Sequence, residues 1–228
     1  MPIRADLVLA ERETEKPSYT IQPYDKPSVR EGEFAARAVD IHDARMLAEP
    51  PSLDGTGFQL VTGGNALPTD LSDADARTTA YEEICRILRD AIGAEAVHIF
   101  DHTIRSSAPD SSSRGTAAHA HNDYTPQSLF QKMKDIGIAA GTGRVMHVNA
   151  WRPLSEPVRV SPLALADGSS VPQDDLVACD LIYPDRMGEI FELSYNPAHR
   201  WYYFPEMRRT ETVLIKGYDS LEGGPVRF

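Results

Sequence analysis

The feature that most limits what this chain can fold into is a rhythm in its second half. Short extended runs at residues 145–151, 158–166, 176–183, 190–195, 201–204 and 212–218 follow one another, rich in the Val, Ile, Leu and aromatic residues that suit a pleated surface. Turn formers at Pro153, Asp167-Gly168, Pro184-Asp185 and Asn196-Pro197 separate them. A strand-and-turn repeat of about ten residues is the pattern of a sandwich or barrel. It leaves no room for crossover helices, so a doubly wound parallel sheet is disfavoured, and no G-x-G-x-x-G opens a helix after a strand.

The first half supplies what flanks such a core. Over residues 71–95, Ser72 with Asp75 three residues on forms a helix start, and Tyr81, Ile84, Leu88 and Ile92 recur at helical spacing. A second helix is predicted over 128–138, where Leu129, Met133 and Ile136 share a face and Gly137 and Gly141 end it. Strands are expected at 57–61, closed by Gly63-Gly64-Asn65, and at 96–100. Residues 33–43 carry weak helix or turn signals. Residues 1–30 hold two short extended pieces, Leu7-Val8-Leu9 and Tyr19-Thr20-Ile21, among charges and prolines at 17, 23 and 27, and read as an arm over the domain. The expected fold is mainly β with flanking helices, a jelly roll in a single domain 1–228: arm and strand over 1–70, a packing helix over 71–95, and the core over 96–228.

Composition narrows the partners. A formal charge of −11 opposes binding to nucleic acid, whose phosphates need clustered Lys and Arg, so a small-molecule partner is expected. Cys85 and Cys179 stand far apart without a C-x-x-C and read as two buried thiols. The start Met1-Pro2-Ile3-Arg4-Ala5-Asp6 is soon heavily charged and no run is long enough to span a bilayer. A cytoplasmic protein without a membrane partner is expected, and homodimerisation is compatible with everything in the sequence.

The chemistry concentrates at His119-Ala120-His121-Asn122-Asp123-Tyr124-Thr125-Pro126, where an extended run meets a turn. Residues i and i+2 of a strand project from one face, so His121 and Asp123 can converge on one cation. His119 shares that face, but i and i+4 on a strand lie about 13 Å apart, so His119 and Asp123 cannot hold one ion while the strand stays straight. A set of two His and one carboxylate on one facet of Fe(II) leaves positions open for a co-substrate and oxygen. The bland reading of the same residues is a His-rich strand end leading into an Asx turn. Residues 106–118, rich in Ser, Pro, Asp, Gly and Arg, lead into this strand and are placed to act as a lid.

Four blocks in order, His121-Asn122-Asp123-Tyr124-Thr125, Asn149-Ala150-Trp151-Arg152-Pro153-Leu154, Ser161-Pro162-Leu163-Ala164-Leu165-Ala166-Asp167 and the run from Tyr195-Asn196-Pro197-Ala198-His199-Arg200-Trp201 to Met207, resemble the CmcJ/AsaB-like hydroxylase/desaturase family. The likeness runs from about residue 100 to the C-terminus. It implies a double-stranded β-helix barrel and an Fe(II)- and 2-oxoglutarate-dependent oxygenase that hydroxylates or desaturates a small secondary metabolite, with His121 and Asp123 as metal ligands. For the third ligand, His199 is one candidate, since Arg208 and Arg209 follow about ten residues later as in related oxygenases. A guanidinium such as that of Arg209 suits a carboxylate co-substrate because it donates two parallel hydrogen bonds. The alternative is a Pro-His segment that family members carry beyond the position of Phe228, with which the last strands of the barrel would also be missing. His199 can equally be a strand-end histidine packed beside Trp201 and Tyr203. Asn149 and Arg152 are further candidates for the co-substrate, although in a strand they face opposite sides.

Two rival functions stay open at this point. One is a jelly-roll relative without turnover, with a degenerate or truncated site that binds a ligand or partner. The other is a hydrolase or cupin-like enzyme that uses the same ligands on zinc to activate water.

Overall fold

The computed structural model describes residues 1–12, 15–22, 28–107, 113–138, 143–155 and 157–221. Among these it is mainly β, with two α-helices, as the rhythm predicts. Numbered in chain order, one sheet runs β1 (Ile3–Ala10), β4 (Phe34–Asp43), β11 (Trp201–Tyr203), β8 (Leu165–Ala166). A second runs β3 (Val29–Glu31), β2 (Ser18–Thr20), β9 (Leu176–Ile182), β10 (Met187–Leu193), β6 (His121–Asn122), and a third β5 (Phe58–Val61), β12 (Thr212–Asp219), β7 (Met146–Trp151). Among the described residues the three sheets are open; none closes on itself as a barrel.

Alternation along β7 divides the molecule into two sides. Met146, Val148 and Ala150 pack outward with Ile87 and Leu88 of α1 (Ala74–Ile92), over the fully buried Leu214 of β12. His147 and Asn149, two residues apart, take the opposite face. Fully buried leucines and isoleucines of this cluster, Leu214 and Ile87 among them, stabilise by about 2 kcal/mol each. Helix α1 begins one residue later than predicted: Asp73, not Ser72, accepts from Ala76 N at 2.8 Å, and Gly93, at φ 65°, ends it. Helix α2 (Pro126–Asp135) is capped by Thr125 and followed by Gly137 at φ 75°; Gly141, the second predicted stop, lies outside the described residues.

Four expectations fail, each for a physical reason. Residues 34–43, read as weak helix or turn, form a ten-residue strand. The alanines there favour helix, but Val39 and Ile41 alternate inward, and pairing to β1 along eight residues and to β11 along three overrides local preference. The supposed arm is integral: β1 pairs with β4, and β2 lies parallel to β9. Residues 96–100 pair with no strand among the described residues, although Val97 packs beneath α1 and Phe100 meets Tyr124 and His147. Of 158–166 only Leu165–Ala166 is strand, because Ser161, at φ 48°, turns the chain before Pro162.

Candidate metal centre

The segment 118–122 joins two sheets. Val8 of β1 bonds to Ala118 O and Ala120 N at 3.3 Å each, while Ala120 O accepts from Leu193 N of β10 at 3.0 Å. Held from both sides, the strand ends at Asn122, whose Oδ1 accepts from Tyr124 N at 3.2 Å and whose Nδ2 donates to Gly217 O at 2.7 Å. This is the Asx turn the sequence suggests, and it turns Asp123 alongside His121.

His121 Nε2 and Asp123 Oδ1 lie 3.4 Å apart. Two donors bound at about 2.0–2.2 Å to adjacent positions on one ion stand about 3 Å apart, so the pair fits a cation with little movement. His121 Nδ1 donates to His119 O at 2.9 Å, which directs Nε2 to the carboxylate: with a proton Nε2 pairs with Asp123, and on losing it to a cation it is the ligating nitrogen. Burial pulls the His121 pKa down, but the Asp123 carboxylate outweighs it and the net shift is upward. Burial likewise pushes the Asp123 carboxyl up, and the His121 imidazole, then the Asn149 amide, then His147 hold it well below the usual range. Asp123 is therefore an ionised, part-exposed carboxylate.

Asn149 Nδ2 donates to Asp123 Oδ2 at 2.5 Å, so the structure brings Asn149 to the pair. His147, on the same face of β7, is the residue the sequence reading missed. Its ring stands edge-on to Tyr124 at 4.9 Å and tilted to Phe100 at 5.9 Å, and burial lowers its pKa. The alternation that selects Asn149 would have found it two positions earlier. Tyr124 stays a neutral phenol, pushed up to about 12 by burial and then by Asp123.

The other candidates lie elsewhere. His119 packs edge-on to Phe34 at 4.9 Å, with Nδ1 4.0 Å from Glu192 Oε2, and burial, then Arg30, lower its pKa to about 4. His199 Nε2 donates to Asp175 Oδ2 at 2.7 Å. Asp175 leads into β9, on the edge of β10 opposite β6, and His199 does not join the pair. Arg152 and Arg209 meet each other: Arg152 donates to Arg209 O at 2.9 Å and to Asn65 O at 2.5 Å, and Arg209 donates to Leu67 O. Both thus sit on the α1 side of β7, away from Asn149. Among the described residues no group of three metal-binding side chains converges, and the proposed lid over 106–118 includes residues 108–112, outside the described set. No helix among the described residues is long and apolar enough to cross a membrane.

An imidazole–carboxylate pair at the end of β6, the last strand of its sheet, supplies two of the three groups of the two-His, one-carboxylate set that holds non-haem iron. The model of one family, the oxidoreductase/YMDC permease-like domain, matches residues 8–228, and the chain belongs to that family. It is 30% identical to the hydroxylase/desaturase efuI of Hormonema carpetanum, over 85% of this chain and 75% of that protein. It is 29% identical to the alpha-ketoglutarate-dependent dioxygenase tstK of Talaromyces stipitatus, over 80% and 72%. Among solved structures, the iron and alpha-ketoglutarate-dependent endoperoxidase NvfI superposes with a TM-score of 0.82 at 23% identity, over 98% of this chain and 86% of that one, and shares the fold.

Proposed function

We propose that this chain is an Fe(II)- and 2-oxoglutarate-dependent oxygenase that hydroxylates or desaturates a small secondary metabolite, with His121 and Asp123 as two of its metal ligands. The observation that carries the reading is the pair itself: His121 Nε2, the ring nitrogen not committed to His119 O, and an oxygen of the ionised Asp123 stand 3.4 Å apart. Relatives whose names state dioxygenase or hydroxylase/desaturase activity favour turnover over a binding-only role. Iron bound there would supply, with 2-oxoglutarate and oxygen, the oxidising power to remove a hydrogen atom from substrate.

The chain's own residues do the rest. His119 O holds His121 with Nε2 toward the carboxylate, and Asn122 bends the strand so that Asp123 reaches the same point. Tyr124, Phe100 and His147 form an aromatic wall beside Asp123 that suits an apolar metabolite and excludes water.

Anaerobic titration with Fe(II) and 2-oxoglutarate tests this. The wild-type chain should develop a weak visible charge-transfer band, and Asp123→Ala should not. A wild-type titration with no band removes the oxygenase reading, and an unchanged band in Asp123→Ala removes Asp123 from the site.

A further inference from the structure

Resting on that reading, we infer that Asn149 is a positioning residue that divides the two oxygens of Asp123, holding Oδ2 so that Oδ1 alone is presented to the cation. The two oxygens already differ. Oδ2 accepts from Asn149 Nδ2 at 2.5 Å, and Oδ1 faces His121 Nε2 at 3.4 Å. The amide has one workable orientation, since an ionised carboxylate only accepts and must be met by the NH2 group.

The scaffold behind this bond is rigid. Asn149 lies mid-strand in β7, opposite Ile215 of β12, and its neighbours Val148 and Ala150 are packed on the far side against the α1 cluster. Asp123, by contrast, follows the strand end in a bend. Among the described residues His121 and Asn149 are its only hydrogen-bonding or ion-pairing partners. Without the amide the carboxylate is free to rotate, to offer both oxygens to the ion, or to turn away from it.

The chemical type of the tether matters as much as its place. A Lys or Arg at 149 would hold the carboxylate too, but its charge would offset the negative charge that attracts a divalent cation. A neutral amide fixes the geometry and leaves that charge intact.

The test uses Co(II) alone as the probe, read by its visible absorption, with the full chain and no co-substrate. Asn149→Leu keeps the branched shape of the side chain and removes the donor. It should bind Co(II) about 10- to 100-fold more weakly, the loss typical when a partner of a metal ligand is removed, and its band shape should change as Asp123 adopts another binding mode. The metal-free protein should melt close to wild type. Asn149→Gln, which keeps the amide on a longer arm, should recover affinity to within a few-fold. Asn149→Ser, small enough to fold whatever Leu does, should lose as much as Leu. Wild-type affinity and band shape in both Asn149→Leu and Asn149→Ser would overturn the inference while leaving the metal site standing. Failure of the wild-type chain to bind Co(II) would overturn the metal site and the inference with it.

Discussion

Among the described residues, two histidine–aspartate pairs are opposites. His121 and Asp123 stand 3.4 Å apart with side chains 23% and 41% exposed; His199 and Asp175 stand 2.7 Å apart at 1% and 0%. Asp175 Oδ2 also accepts from Asn196 Nδ2 at 2.8 Å, and Oδ1 is ion-paired with the Arg12 guanidinium, so both oxygens are held inside the protein. Asp123 keeps an oxygen facing His121 and space. The imidazoles respond in opposite directions: the His121 pKa is shifted upward, whereas burial, then Arg12, drive His199 down to about 4. A carboxylate beside an imidazole can hold a metal only where the pair is open to an ion; where both groups are sealed among protein partners, the same two residues are a structural knot.

The largest effect expected from this contrast is on stability. Asp175→Ala removes the buried acceptor of His199 Nε2 and Asn196 Nδ2 and leaves the half-exposed Arg12 guanidinium to solvent, and stranding two buried donors costs about 1–3 kcal/mol each. For a chain of this size that is a fall of about 10 °C in melting temperature. Asp123→Ala, at a part-exposed position, should move it by no more than a degree or two while abolishing the iron–2-oxoglutarate band. Equal melting temperatures for the two variants would break the comparison.

The two pairs also show where sequence was readable. His121 and Asp123 are legible because two residues on one strand end need no knowledge of the fold to converge. The partner of His199 is 24 residues away, and nothing in the local pattern announces that Asp175 will be brought under it by the β9–β10 hairpin. His199 therefore reads equally as a ligand followed by two arginines or as a strand-end histidine beside Trp201, and its ring does stand edge-on to Trp201 at 6.4 Å. Arg152 and Asn149, three residues apart, are separated by the strand's alternation, and only pairing with β12 shows which face looks toward Asp123. At the level of the fold, the strands after 145, apart from the run over 158–166, are legible through branched and aromatic residues. The strand at 34–43 is hidden because its alanines suit a helix until β1 and β11 pair with it.

A second prediction uses pH to sharpen the contrast. With its pKa near 4 in the folded chain against about 6.5 unfolded, His199 stays neutral when folded while the unfolded chain takes up a proton. Its contribution is therefore fully present above pH 6.5 and is lost as pH falls from 6.5 through 4, by at most about 3 kcal/mol. Denaturant unfolding across that range should show the decline, and His199→Gln should flatten it. A histidine titrating above 6.5 in the folded protein, assigned to His199 by NMR, would contradict the sealed, neutral state.

The smallest effect concerns the wall behind the open pair. At Gly217 an added Cβ would sit 2.5 Å from His147 Nδ1 and 3.0 Å from Asn122 Oδ1, closer than side-chain carbons approach. The chain there shifts register between Lys216 and Tyr218, a bulge that brings the glycine against both side chains. Neither neighbour can yield freely, because the His147 ring is wedged against Tyr124 and Phe100 and Asn122 is bonded to Gly217 O itself. Gly217→Ala should therefore cost about 1–3 kcal/mol in denaturant unfolding, in the range of other overpacked sites. Any relief must come by pushing His147 toward Asp123 or Asn122 out of its turn. The same substitution should then weaken Co(II) binding at the open pair, whereas Asp175→Ala, on the sealed pair, should leave the affinity of the folded fraction unchanged. If Gly217→Ala leaves both stability and affinity at wild-type values, the open pair does not depend on this wall, and its geometry rests on the bend at Asn122 and the Asn149 amide alone.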